Sequence, residues 1–254
     1  MKNYYDLSDK SVLITGALGQ IGRVLVQSFL NNNASVYAVD LLDRNEIDYG
    51  QFKATDKGSF SYISGDIRSK KMVEMLIERI FTPIDVLVNC AGIGVYTPFE
   101  ERTEEELDNV IATNLKGTIW MSQVISVRMI KQGSGSIINF GSIYGITTPD
   151  FSIYGDSGRN SSEIYGASKA GIIHFTKYLA AYLAPYGINA NVISPGGVFR
   201  SQDPAFVRNY EKKTPLGRMA SPEDLAGATL FLASPDASYI TGQCIAIDGG
   251  FTVW

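Results

Sequence analysis

Tyr165 and Lys169 stand four residues apart within a helical pattern, which makes a phenol and an ammonium neighbours on one helix face. A tyrosine hydroxyl titrates near ~10 and is a poor acid or base at neutral pH. A cation fixed beside it favours the phenolate and draws the pKa toward the working range, as moving a proton to or from a substrate oxygen requires. On its own this spacing is common on solvated helix faces. A second cluster gives it context: Thr15-Gly16-Ala17-Leu18-Gly19-Gln20-Ile21-Gly22 follows an apolar run and opens an amphipathic helical pattern. Glycines there let the backbone turn tightly against a pyrophosphate, and free amides at a helix start attract its charge. Asp40 closes the next apolar run, where a carboxylate accepts hydrogen bonds from both ribose hydroxyls of NAD and repels the extra phosphate of NADP. Arg44 lies close enough to complicate that preference.

Three further segments belong with this pocket. Gly65-Asp66-Ile67 offers a carboxylate toward an adenine, and Asn89-Cys90-Ala91-Gly92 offers small residues past which a cofactor can run. Pro195-Gly196-Gly197-Val198 is placed to line the nicotinamide. Each is also ordinary turn chemistry.

The elements that must position these groups are legible as short apolar runs alternating with helical patterns. The runs are Ser11–Thr15, Ser35–Asp40, Ser59–Ser64, Ile84–Asn89, Ser136–Phe140, Ile188–Ser194 and Cys244–Asp248. Rich in Val and Ile and without polar alternation, they read as strands buried on both faces. Helical patterns cover Gln20–Asn31, Ser69–Ile80, Thr103–Lys131, Ser162–Leu183 and Pro222–Leu232. This order predicts one α/β domain over residues 1–254, a doubly wound Rossmann-type fold with a seven-stranded parallel sheet and helices on both faces. Residues 143–164 and 198–218 resemble neither element. Both follow strands, so both are expected at the carboxyl edge, where such sheets bind ligands.

The chain of 254 residues is 45% hydrophobic and 19% charged with a mean hydropathy of +0.02, ordinary for a globular protein that buries a sizeable core. A net charge of −4 without a basic run gives no reason to expect nucleic acid. No run approaches the ~20 apolar residues that span a bilayer, and the start lacks the apolar stretch of a signal peptide, so a cytoplasmic protein without a membrane partner is expected. Cys90 and Cys244 sit in apolar runs and are expected as buried reduced thiols. His174, the only histidine, reads as a packed helical residue, and nothing clusters as a metal site.

In this order the landmarks resemble those of the short-chain dehydrogenase/reductase family, from about Ser11 to Trp254: the glycine-rich turn, Asp66, Asn89-Cys90-Ala91-Gly92, Asn114, Ser142, Tyr165 with Lys169, Pro195-Gly196 and Asp248-Gly249-Gly250. There are two departures. Gln20 stands where the usual spacing has glycine, so Gly16, Gly19 and Gly22 are spaced as in the sugar-nucleotide branch of the superfamily; Cys90 replaces a second asparagine. The resemblance implies that Tyr165 exchanges a proton with the substrate oxygen as hydride moves at the nicotinamide. It implies that Lys169 lowers the Tyr165 pKa and holds the ribose, that Ser142 hydrogen-bonds the reacting oxygen, and that Asn114 holds water in a proton relay at a helix kink. The cofactor-contacting set is then Gly16, Gly19, Gln20, Ile21, Gly22, Asp40, Asp66, Ile67, Asn89, Ala91, Gly92, Tyr165, Lys169, Pro195, Gly196 and Val198, with NAD as cofactor.

Ser142 and Tyr165 are about ten residues further apart than the family usually has. The insertion mixes aromatic with hydrogen-bonding residues, which suits a polyhydroxylated ligand. Residues 198–218 carry Arg200, Arg208, Lys212, Lys213 and Arg218 against Asp203 and Glu211, a basic flap able to grip a phosphorylated substrate. The insertion and tail resemble a subgroup that oxidises sugar nucleotides in bacterial surface-sugar biosynthesis. The leading expectation is therefore an NAD-dependent enzyme interconverting a secondary alcohol and a ketone on a sugar nucleotide or related carbohydrate. A 3-oxoacyl carrier-protein reductase and a non-catalytic NAD-binding protein are the alternatives. The family also implies a homotetramer built on the helices Thr103–Lys131 and Ser162–Leu183.

Overall fold

Seven apolar runs become seven strands: β1 (Ser11–Thr15), β2 (Ser35–Asp40), β3 (Ser59–Ser64), β4 (Val86–Asn89), β5 (Gly135–Phe140), β6 (Ile188–Pro195) and β7 (Cys244–Ile247). The computed structural model describes residues 5–155 and 160–254. All pairs are parallel, in the order β3-β2-β1-β4-β5-β6-β7, so the direction of winding reverses between β1 and β4. Helices α1 (Gln20–Asn31), α2 (Lys70–Ile77), α3 (Glu104–Val110), α4 (Gly117–Gln132), α5 (Glu163–Leu183), α6 (Pro204–Lys213) and α7 (Glu223–Ala233) complete the chain.

The strands are apolar throughout because each face meets a separate core. Val12 and Ile14 join one cluster with Leu25, Phe29 and Leu230 from α1 and α7. Leu13, between them, joins the other with Val73, Met121, Ile125 and Leu179 from α2, α4 and α5. Each fully buried Leu, Ile or Val contributes roughly 1.5–3 kcal/mol, which holds the helices on both faces. No described helix is long and apolar enough to cross a membrane.

Four expectations need correction. The pattern over Thr103–Lys131 is not one helix: a π-helical turn, Ile111–Lys116, separates α3 from α4. Residues 198–218 contain a full helix, α6. Asp203 caps it by accepting from the amides of Ala205 and Phe206, and Pro204 opens it, a start signal that the polar composition obscured. Cys90 and Cys244 are half-buried free thiols, not fully buried ones. His174 lies exposed on α5.

Candidate active site

The glycine-rich turn is shaped by what cannot fit there. Gly16 adopts φ +65°, and a Cβ on it would lie 2.6 Å from the Ala91 Cα; one on Gly22 would lie 2.0 Å from the Gly16 carbonyl oxygen. Gly19 caps α1 without a side chain, so the first amides of the helix keep their hydrogens for a ligand. Asp40, at the end of β2, accepts from the Leu18 amide through Oδ2 and from the Leu41 amide through Oδ1, both at 2.8 Å. The carboxylate is thereby anchored to the turn and retains lone pairs for further donors. Gln20 lies beside this turn and donates from Nε2 to the Phe199 carbonyl, reaching the segment beyond β6.

Ser142, Tyr165 and Lys169 line one cleft of about 770 Å³, together with Gln20, Ile21, Gly92, Pro195, Gly196 and Val198. The Ser142 hydroxyl accepts from the Tyr144 amide at 3.1 Å and faces the Tyr165 phenol closely enough to favour its ionised form. The Lys169 ammonium lies 5.7 Å from the Tyr165 ring centre and donates to the Phe140 carbonyl at 2.8 Å. Burial pushes the Tyr165 phenol up to about 12, against the opposing pull of Ser142. It also pushes Lys169 down to about 8. The expectation that Lys169 draws the phenol down is therefore corrected for the protein alone: desolvation outweighs the favourable contacts. At neutral pH the pair consists of a neutral phenol and an ammonium.

Asn114 is fully buried inside the π-helical turn. Its Oδ1 accepts from the Ile93 amide at 2.8 Å, while Nδ2 donates to the Ile93 carbonyl at 2.9 Å and the Ser168 hydroxyl at 3.1 Å. Ser168 in turn donates to the Tyr165 carbonyl at 2.8 Å. One carboxamide thus clamps the loop after β4 to the helix that carries Tyr165. The wide turn costs α-helical hydrogen bonding, and the Thr118 hydroxyl compensates by donating to the Asn114 carbonyl at 2.7 Å. Ser168, which sequence reasoning passed over, had as its only signal its place beside Lys169.

The remaining residues divide by side-chain direction. Asn89 donates from Nδ2 to Asn139 at 2.8 Å and to Ser122 at 3.1 Å, so its carboxamide joins β4 to β5 and does not line the cleft. Ala91 backs Gly16, and its amide donates to the Thr15 hydroxyl at 3.3 Å. Ile67 points into the core, leaving only its backbone for a ligand. Asp66 forms a forked pair with Arg68 at 2.6 and 2.8 Å, which holds its carboxyl below the usual range.

The insertion and α6, read from sequence as separate regions, pack together over the cleft. Ile143, Ile153 and Tyr154 form a small core with Phe206, Tyr210 and Met219, and Asp150 pairs with Lys213 at 2.5 Å. The hydroxyls of Tyr144 and Tyr154 meet at 3.1 Å. Asp156-Ser157-Gly158-Arg159 lies outside the described residues. The basic flap is partly neutralised: of its five cations, Lys213 is paired with Asp150 and Arg218 makes a forked pair with Asp224 at 2.6 and 2.8 Å. Of its five cations only Arg200 lines the cleft.

A fold of this order with a Ser–Tyr–Lys cluster at its carboxyl edge defines a class of oxidoreductase, and comparison with known proteins agrees. Residues 16–252 match the family model described as enoyl-(acyl carrier protein) reductase. A short-chain dehydrogenase from Leptospira borgpetersenii, solved with bound NAD+, is 47% identical with a TM-score of 0.88, over 99% of this chain and 96% of that one. A 3-oxoacyl-[acyl-carrier-protein] reductase from Thermotoga maritima is 36% identical, over 97% of this chain and 99% of its own. An NAD-dependent glycerol dehydrogenase from Listeria innocua is 32% identical, over 98% and 96% respectively. The chain belongs to the short-chain dehydrogenase/reductase family and is an oxidoreductase of that type.

Proposed function

We propose that this protein is an NAD-dependent oxidoreductase that interconverts a secondary alcohol and a ketone on a polyhydroxylated substrate. The observation that carries the reading is the convergence of Ser142, Tyr165 and Lys169 on one wall of a cleft whose other wall is the start of α1. The residues fit a nicotinamide dinucleotide: a turn that admits no side chain at Gly16 or Gly22, a helix start without a side-chain cap, and a carboxylate ending β2. When bound, such a cofactor supplies the hydride acceptor for the alcohol or the donor for the ketone. Tyr165 takes the hydroxyl proton during oxidation and returns it during reduction. Ser142 donates to the substrate oxygen and steadies its developing charge. Lys169, a buried ammonium beside Tyr165, favours the phenolate as the proton leaves. Asn114 positions Tyr165 through Ser168 and the Ile93 loop, and a role in relaying its proton belongs to the same proposal.

Asp40 supports NAD over NADP by like-charge repulsion of the additional phosphate, and the Leptospira and Listeria relatives are described with NAD. Tyr96, Tyr144 and Tyr154 are among the residues that line the cleft, and aromatic rings with polar tips suit a polyol or sugar better than an acyl chain. A sugar nucleotide of surface-glycan biosynthesis is the largest member of that class. The ion pairs at Lys213 and Arg218 remove two of the cations that would grip its diphosphate, which favours a smaller polyol or sugar. The test is a panel of glycerol, a tetritol, a hexitol, sugar nucleotides and a 3-oxoacyl thioester with NAD and NADP, followed by reduced-nicotinamide absorbance. Turnover confined to the thioester with NADP would overturn the reading.

A homotetramer in the cytoplasm completes the proposal. Tyr178 and Tyr182 stack at 5.7 Å on the outer face of α5 yet are 59% and 55% exposed, an apolar surface suited to a two-fold contact. Light scattering at micromolar concentration should show four subunits, and a stable monomer would refute this part.

A further inference from the structure

We infer that Arg200 is an anion-binding residue that closes over the start of α1 and grips the pyrophosphate of the dinucleotide; this rests on the cofactor reading above. None of the described residues lining the cleft is acidic, in a protein of net charge −4. Its two lining cations are Lys169, committed to the Phe140 carbonyl, and Arg200, whose guanidinium has no ion-pair partner among the described residues. The cleft is therefore built for a ligand with negative charge.

The backbone places Arg200 at the phosphate end. Gln20, the first residue of α1, donates to the carbonyl of Phe199, which fixes residue 199 one side-chain length from the helix start. Gln202 completes the turn, accepting from the Arg200 amide at 2.7 Å and donating to the Val198 carbonyl at 2.8 Å. Ser201 is held at φ +53° within it, a conformation that non-glycine residues seldom adopt without such bracing. Two glutamines thus brace the segment that carries Arg200 against the first residue of α1, and a guanidinium starting from there is long enough to reach the uncapped amides of that helix. A planar guanidinium donates two parallel hydrogen bonds to phosphate oxygens, adding side-chain charge to what the amides provide. Gln20, the departure from the usual glycine spacing, then has a structural purpose: it latches the second wall to the first.

Calorimetry on the intact protein tests this with ADP-ribose and adenosine, which differ by the pyrophosphate and second ribose. Arg200→Gln should weaken ADP-ribose and NAD about tenfold or more, the scale of a lost charged hydrogen bond, and leave adenosine unchanged. Gln20→Met should weaken ADP-ribose in the same sense by a smaller factor, since the cation remains but its turn is released. Arg200→Lys should recover part of the loss. Arg200 is exposed, so folding is not at risk. Wild-type ADP-ribose affinity in Arg200→Gln would overturn the inference. A rise only in the KM of an anionic substrate would do the same, by assigning Arg200 to substrate. Failure of the wild-type protein to bind ADP-ribose or NAD would remove the cofactor reading itself.

Discussion

Tyr165→Phe should cut turnover at least ~100-fold in both directions while leaving NAD affinity unchanged, the low end of what losing a general acid/base costs. The variant keeps the ring that lies 5.7 Å from the Lys169 ammonium and deletes the one atom that carries the proton. Its neighbour Ser142 remains held by the Tyr144 amide. A pH series sharpens the test. Oxidation needs the phenolate, and the phenol of the protein alone lies up at about 12, so wild-type oxidation should climb with pH. The climb should be steepest below about 8, where Lys169 still keeps its proton and supports the phenolate. Ketone reduction uses the neutral phenol and should not rise over that range. A variant retaining more than about a tenth of wild-type turnover, or one with the wild-type pH profile, would remove Tyr165 as the proton carrier.

Asp40 should govern the choice between NAD and NADP, and two substitutions separate its charge from its tether. Asp40→Asn keeps an oxygen able to accept from the Leu18 amide but loses the charge that repels a ribose phosphate. NAD should weaken by roughly 10- to 150-fold, as for a charged hydrogen bond of ~1.5–3 kcal/mol, while NADP gains relative to it. Asp40→Ser shortens the side chain and releases the glycine-rich turn as well, so both cofactors should weaken further. Titration by reduced-nicotinamide fluorescence reads both. Equal wild-type affinity for NAD and NADP would leave the assignment without a basis.

Much of the scaffold was legible because its signals are local. The apolar runs at Ser11–Thr15 and Ser35–Asp40 are strands with those bounds, and the helix opening at Gln20 ends at Asn31 as its periodicity predicts. Glycines at 16, 19 and 22 mark the turn between strand and helix, and at 16 and 22 only a residue without Cβ fits. Helix α6 was hidden because just two of its residues, Phe206 and Tyr210, are buried, too few to impose a helical period on a polar stretch.

What the residues do to one another depended on the tertiary structure. The Tyr165–Lys169 spacing places the pair on one helix face, but only dense packing makes burial the larger influence on both and moves their pKa values in opposite directions. Asn89, in a motif that reads as cofactor contact, spends its carboxamide on Asn139 across the sheet. Lys213 and Arg218 read as free cations until Asp150 and Asp224 are brought against them. Gln20 meets Phe199 across 179 residues of chain. Backbone period and glycine sterics act between neighbours in sequence and survive in the linear text. Desolvation and ion pairing act between neighbours in space, and these exist only once the chain has folded.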